Sequence, residues 1–481
     1  MTTPDTDPKR PHTEQAEIDP AALADEDEIV VDTRDVHLRP EFVREVVAAG
    51  RAGEADRART LVQSLHAADL ADLFEVVPSN DRRILAGILE ETLDPELLTE
   101  LEGAAQDDVL DTIANEKIAD AVTRLDSDDA VSVIEELDAR DQQEVLGALA
   151  ADERRALEES LAYPEDSAGR LMQRDLIAVP EFWNVGQTID FMRAEPEALP
   201  TDFYDIIVVD PTHTPVGTVP LSRVMRSKRP VQIKAVMEDE PRLIRVDEDQ
   251  EDVAYEFRKY HLISAPVVDG DGRLVGVITA DDIAHVIEEE AEEDILALAG
   301  VTETDINEST VAVARTRFVW LLVNLGTAVL ASAVIGLFDA TIEQMVALAV
   351  LMPIVASMGG NAGTQTMTVA VRAIATRELT PTNALRLVNK EVLVSLLNGI
   401  LLAAIVGVVA TLWFGSAPLG LVLAAAMIIN LISAGLSGIL IPMGLDKLGI
   451  DPAVASTVFV TTITDVIGFF AFLGLAALLL L

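Results

Sequence analysis

The segment VASTVFVTTITDVIGFFAFLGLAALLLL, residues 454–481, runs for 28 residues with a single charge, Asp465. About 20 apolar residues span a bilayer as a helix, so this stretch reads as a transmembrane segment. A carboxylate at that depth costs about 2.5–3.5 kcal/mol on insertion scales and is read first as a functional group on a polar path. Its sign attracts cations and repels anions. Two other readings of the same charge are a proton-binding group and a protonated packing residue.

Working back along the chain, four more apolar segments are long enough to cross, at roughly 317–338, 342–375, 388–414 and 417–445; the terminal one extends over 453–480. Three of them exceed one bilayer thickness, so tilt or projection into the cytosol is expected. Arg315 and Arg317 precede the first segment, Arg372, Arg377, Arg386 and Lys390 surround the second connection, and Lys447 lies in the fourth. The other two connections carry no basic residue. The excess of Lys and Arg on cytoplasmic loops then places residues 1–310 in the cytosol of a multi-pass plasma-membrane protein, with the C-terminus outside. Within the second segment, PIVASMGGNAGTQTMTVAVRAIA (353–375) brings Asn361, Thr364, Gln365 and Thr368 to membrane depth. Its glycines, Gly360 among them, permit close helix approach or local unwinding. Thr457, Thr461, Thr462 and Thr464 add hydroxyls beside Asp465. An oxygen-only lining of this kind suits a hard cation such as Mg²⁺ or Ca²⁺ rather than a thiophilic metal.

The net charge of −46 is confined to the other part of the chain, because residues 311–481 hold equal numbers of acidic and basic groups. A cytosolic half this acidic, with no basic patch, excludes nucleic acid as a partner. A saline habitat or a GC-rich genome is a competing source of the acidity, since only seven of the 35 basic residues are Lys. The absence of cysteine excludes disulfides and zinc-thiolate sites.

Residues 1–38 read as a disordered acidic tail. Residues 39–162 read as a helical superhelical domain of six to eight short amphipathic helices. From 163 to 286 the texture changes to two βαβ-like units, the first with DIIVVD (205–210), the second with LISAPVVDGDGRLVGVITADDIAHVI (262–287). Such a pair resembles a tandem CBS module, and only the second unit carries the nucleotide-type ending, with Thr279 and Asp282. Residues 287–314 read as an acidic connecting helix and linker, in which Glu290, Glu293 and Asp294 fall on one face. Residues 315–481 form the five-helix membrane domain.

The ordered set YPEDSAGRLM (163–172), DEDQEDVA (247–254), GRLVGVITADD (272–282), EEEAEEDI (288–295), GGNAGTQ (359–365), RAIATREL (372–379), DPA (451–453) and TDVIG (464–468) is similar to the MgtE magnesium transporter/channel family over about residues 40–481. The resemblance implies a multi-domain fold: a cytosolic α-helical N domain, an α/β CBS pair, a plug helix and an all-α membrane domain. It implies a homodimer in the lipid bilayer with one pore, lined by Asp465, Asn361, Gly360, Gln365, Thr457 and Thr461. Mg²⁺ influx would be closed by Mg²⁺ at regulatory positions Asp249, Glu251, Asp282, Glu290, Glu293, Asp294 and Asp451. ATP is a candidate ligand at the CBS pair, at Thr279 and Asp282; no obligatory protein partner is evident. His261 and Thr457 depart from one branch of the family, which has Asp and Asn there. Among rivals, an intramembrane enzyme is excluded because all six His lie outside the apolar segments. A cation-coupled divalent-metal exchanger of the same fold stays open, since coupling leaves no mark in sequence.

Overall fold

A computed structural model describes residues 31–32, 37–194, 199–200, 203–301, 310–380 and 382–480. Nearly all of the expected tail, 1–38, lies outside them. Where it is described it is paired: β1 (Val31–Asp32) runs antiparallel to β2 (His37–Leu38).

The chain divides into two compact bodies. One takes in the chain to Leu125 together with Glu136–Leu149. It holds α1 (Pro40–Ala52), α2 (Ala55–Val62), α3 (Ala67–Val76), α4 (Ser79–Leu89), α5 (Leu97–Glu100), α6 (Gly103–Leu110), α7 (Asn115–Val122) and α9 (Ala139–Ala148). Leu73, Phe74, Leu85, Leu97, Leu98 and Ile118 are fully buried. At their centre is a charge: Arg82, also fully buried, pairs with Asp108 at 2.8 Å and donates to the carbonyls of Phe74, Val77 and Ala104. Those bonds satisfy a guanidinium that would otherwise be prohibitive to bury.

The second body comprises Asp126–Glu135 and Ala150–Leu481. It opens with α8 (Ser127–Glu135), α10 (Ala151–Leu161) and α11 (Ala168–Leu171). Residues 40–161 thus form ten α-helices rather than six to eight. The difference arises because a single turn such as α5 buries Leu97 and Leu98 without a periodicity to read.

Two sheets follow. β3 (Ala178–Pro180) is parallel to β4 (Asp205–Val209), which is antiparallel to β5 (Pro215–Pro220), and β6 (Glu238–Asp239) closes the edge; α12 (Val185–Ala194) and α13 (Leu221–Arg226) accompany them. In the second unit β7 (Ile244–Arg245) is parallel to β8 (Ser264–Val268), which is antiparallel to β9 (Leu274–Thr279), with α14 (Gln250–Tyr260) between. Both hairpins slip register at one place, Val208/Val209 and Val267/Val268. Their glycines correspond: a Cβ on Gly217 would lie 2.8 Å from the Glu238 carbonyl, and one on Gly276 would lie 2.8 Å from that of Gln173. Gln173 bridges Val277, so the segment ahead of the first unit completes the sheet of the second. The two units are interlocked.

α15 (Ala280–Leu298) continues from the second unit without interruption. The expected boundary at 286/287 falls inside this helix and is not marked by a break in it. No Gly or Pro lies between Ala280 and Leu298, and Thr279 with Asp282 forms a capping box that fixes its start.

Five helices are long and apolar enough to cross a membrane: α16 (Thr310–Gly336), α18 (Ala347–Ala375), α19 (Ala384–Phe414), α20 (Ala417–Lys447) and α21 (Pro452–Leu479). The expected segment 342–375 is broken, because the short α17 (Asp339–Gln344) ends where Met345 leaves helical geometry at φ −141° and ψ 84°. α20 is the central element, with Leu423, Ala426, Met427, Asn430 and Ala434 fully buried. Small residues set its distance to α19, where Gly407 meets Gly420 and Ala424, and Gly399 meets Ile428 and Leu431. This is the packing by small residues that membrane helices use in place of a hydrophobic drive. α16 exposes Phe318, Leu321, Leu322, Leu325 and Val329, an apolar face for lipid.

Candidate functional site

α18 and α21 cross in antiparallel register. A Cβ on Gly363 would press into Val460, Met367 Sδ accepts from Thr457 Oγ1 at 3.7 Å, and Val371 shares a cluster with Ala453. Extending that register sets Asn361 opposite Thr462 and Ile463, within about one turn of Asp465. Asn361 and Gln365 are exposed on α18, one turn apart, and Asp465 is half-buried on α21. Thr457, Thr461 and Asp465 recur every four residues along one stripe of α21. Thr461 Oγ1 donates to the Thr457 carbonyl at 2.9 Å, which leaves its lone pairs free to face a ligand. Gly360 has open space where a Cβ would stand. Of the two uses expected for this glycine-rich stretch, close approach is realised. Unwinding is not: α18 is helical from Ala347 to Ala375, through Pro353.

The C-terminal end of α15 meets this pair at its basic end. Ala297 and Leu298 pack with Met367, Val371, Ala453, Val454 and Val460. The Leu298 carbonyl, an orphan at the end of its helix, accepts from Thr457 Oγ1 at 2.9 Å. Thr457, placed by sequence among the pore residues, is thus committed to the connecting helix. One turn earlier, burial and then the charge of Asp451 push the Asp294 carboxyl above its ordinary range. Asp451 itself caps α21, accepting from Ala453 N at 2.8 Å.

Farther along α15 the acidic groups divide. Glu290 and Asp294 are half-buried, and Glu293 is exposed beside them. Burial raises Glu290 while Gln250 Nε2, donating at 3.0 Å, opposes the shift; the charges of Glu293, Asp249 and Asp166 raise it further. Glu251 is raised by desolvation and then by Glu290. Asp249 caps α14, accepting from Glu251 N at 3.0 Å. The C-cap of α14 is His261, in the left-handed region at φ 54°. One cation enters this acidic surface from the membrane domain: Arg377, between α18 and α19, pairs with Asp252 and lies 4.9 Å from the Tyr255 ring centroid.

A second acidic contact lies at the start of α15. Asp282 bonds Thr279 Oγ1 at 2.6 Å within the capping box, so these two expected nucleotide residues are engaged with each other. Against Asp282 stands Asp128 of α8, 8% exposed, with Oδ1 buried and unpartnered among the described residues. Burial, then the Asp282 charge, push the Asp128 carboxyl well above the ordinary Asp value. An orphaned carboxylate oxygen facing a second carboxylate fits a hard cation. Nothing in the sequence singled out Asp128 or Asn430, and Arg377 and Asp252 stood out only as a basic loop residue and as part of an acidic motif, not as partners. Among the described residues no three acidic or His side chains converge into a ready cage. The acidic positions are brought together in pairs: Asp282 with Asp128, Glu290 with Glu251, Asp294 with Asp451.

Comparison with known proteins fits this organisation. Residues 352–475 match the family described as a divalent cation transporter, MgtE; residues 65–166 match the MgtE intracellular N domain, and 233–289 the CBS domain. The magnesium transporter MgtE of Bacillus subtilis is 30% identical over 440 residues, 91% of this chain and 97% of that protein. That of Thermus thermophilus is 32% identical over 436 residues, 89% of this chain and 96% of that protein. A solved structure of the cytosolic domain of the Mg²⁺ channel MgtE in complex with ATP is 26% identical, with a TM-score of 0.46, covering 51% of this chain and 99% of that one. The chain belongs to the MgtE family of magnesium transporters, multi-pass membrane proteins in which an intracellular N domain and CBS domains precede the membrane helices.

Proposed function

We propose that this chain conducts Mg²⁺ into the cytosol through a path lined by Asn361, Gly360, Gln365, Thr461 and Asp465, with Thr457 at its mouth, and that cytosolic Mg²⁺ closes it. The carrying observation is that Asn361 and Asp465 lie within about one turn of each other on antiparallel helices whose basic end meets the acidic α15. Mg²⁺ dehydrates reluctantly, so two copies of Asp465 in a homodimer would hold a hydrated ion through its water shell. The five alternating spans and the Lys/Arg asymmetry support an extracytoplasmic C-terminus.

Closure follows from the paired carboxylates. Without a cation, Asp128 and Asp282, Glu251 and Glu290, and Asp294 and Asp451 repel one another and oppose docking of α15. Mg²⁺ bound between them removes that repulsion. Asp249 and Glu293 flank these pairs and complete the regulatory set. A ligand shifts such a balance only by its differential affinity for the two states, and ions that bridge surfaces have that property. An adenosine nucleotide at the second CBS unit would have to compete with the capping box of Thr279 and Asp282, and its binding is tested by calorimetry on Thr279→Ala.

Rescue of a magnesium-auxotrophic host tests the transport reading. The wild-type chain restores growth, and Asp465→Ala lowers Mg²⁺ uptake by about tenfold or more, on the scale of a lost charged ligand. Undiminished uptake by that variant refutes the path. Uptake that follows an imposed Na⁺ or proton gradient identifies a coupled exchanger.

A further inference from the structure

Asn430 is the one fully buried amide side chain among the described residues of the membrane helices. It lies near the middle of α20, away from both helix ends. Its Nδ2 donates to the Val355 carbonyl of α18 at 2.8 Å. Its Oδ1 is buried and without a partner among the described residues. Two glycines make room for it. A Cβ on Gly359 of α18 would overlap the amide, and one on Gly468 of α21 would stand 2.7 Å from Nδ2. Neither position accepts a larger residue while Asn430 keeps its place.

Packing alone does not account for this choice. Leu has the same number and branching of side-chain heavy atoms, though more bulk, and would leave no amide oxygen unsatisfied in hydrocarbon surroundings. The amide does something Leu cannot: it bonds one neighbour while meeting the backbone of the other. Each neighbour is close to the ion path. Gly359 precedes Asn361 by two residues, and Gly468 follows Asp465 by three, about 4.5 Å along the helix.

We infer that Asn430 is a positioning residue for cation selection: from α20 it fixes the spacing and rotation of α18 and α21, and so holds Asn361 and Asp465 in fixed register, within about one turn of each other. The inference rests on the reading of those two residues as the ion path. The bond to Val355 sets the height of α18 against α20, and the contact with Gly468 sets how closely α21 approaches. Losing either lets the two polar stripes shift against each other while the fold is retained.

The test uses the full chain in proteoliposomes, with Mg²⁺ and Ca²⁺ uptake measured on the same preparation. Asn430→Leu is expected to change the Mg²⁺:Ca²⁺ uptake ratio by about tenfold, the scale on which small misplacement of a binding constellation acts. A folded Asn430→Leu protein in which both fluxes fall together, with the ratio unchanged, overturns the inference. Should Asn430→Leu not fold, smaller changes decide. Asn430→Ser, which gives up the Val355 bond, and Gly468→Ala, which crowds the amide, are each expected to lose the wild-type ratio. A folded protein of either kind that keeps the wild-type ratio overturns it too. Failure of the underlying reading is distinguishable: there, Asp465→Ala leaves the ratio at its wild-type value.

Discussion

Asp128 shows what one residue does in this molecule. Its carboxyl is buried against Asp282, and both are raised above the ordinary Asp value of 3.8, mainly by burial. A carboxyl raised by its surroundings favours the packed state while protonated. That contribution is complete below the ordinary carboxylate range and is lost as pH rises through the raised value. Metal binding at a carboxyl that still carries its proton displaces it. Calorimetry of Mg²⁺ binding in buffers of different ionisation heat should therefore detect proton release that grows as the pH is lowered, and Asp128→Asn should reduce it. Equal release from the variant assigns the protons elsewhere. None of this was legible in SDD (127–129), which promises only a helix start. The burial of Asp128 depends on the contact between α8 and the start of α15, distant in sequence. Asp465 was legible for the opposite reason: its meaning comes from apolar neighbours in the same segment.

Elements add couplings that single residues lack. The connection between α18 and α19 carries Arg377, held in the left-handed region at φ 54° and paired with Asp252 of α14. This ties the second CBS unit to the membrane helices at the end where Leu298 meets Thr457. Both contacts belong to the arrangement in which α15 is docked, so weakening them favours an open path. Arg377→Asp is expected to raise the Mg²⁺ concentration that halves uptake by about fivefold, as a lost partly buried ion pair would. Asp252→Arg with Arg377→Asp restores the pair and should bring the midpoint back. Two additive defects, with no recovery in the double variant, would remove the coupling. The sequence announced α15 as an acidic helix with a boundary at 286/287, but periodicity has no way to mark a domain border that falls inside a continuous helix. Segment 342–375 failed likewise at Met345, where a break occurs within an unbroken apolar run.

For the whole molecule, the division into an acidic half and a neutral membrane half was readable from charge, and five helices long and apolar enough to span were readable from hydropathy. The partners of each span were not, because α18, α20 and α21 meet through glycines whose neighbours lie about 40 to 100 residues away. The −46 net charge leaves two sources to separate, ion sensing and adaptation to salt. Limited proteolysis separates them. At about pH 7.5, Mg²⁺ at millimolar levels should protect the cytosolic half where NaCl of equal ionic strength does not. Without Mg²⁺, lowering the pH to about 5 should give part of the same protection, since protons neutralise the raised carboxyls of Glu251, Glu290 and Asp294. Protection by NaCl equal to that by Mg²⁺ would make the acidity a matter of habitat.

The uninterrupted helix from the second CBS unit to the membrane has a mechanical meaning. α15 has 19 residues and is therefore about 28 Å long. It is anchored at one end by a capping box and at the other by Leu298. Such a rod does not absorb rotation along its length; it amplifies it. A tilt of about 10° at the CBS end sweeps the far tip through about 5 Å, roughly one helical turn. An ångström-scale adjustment between two carboxylates would thus arrive at the membrane as a stroke large enough to carry Leu298 off Thr457. The gain is set by helix length, so inserting a full turn into α15 would change the stroke while leaving every ion-binding group intact.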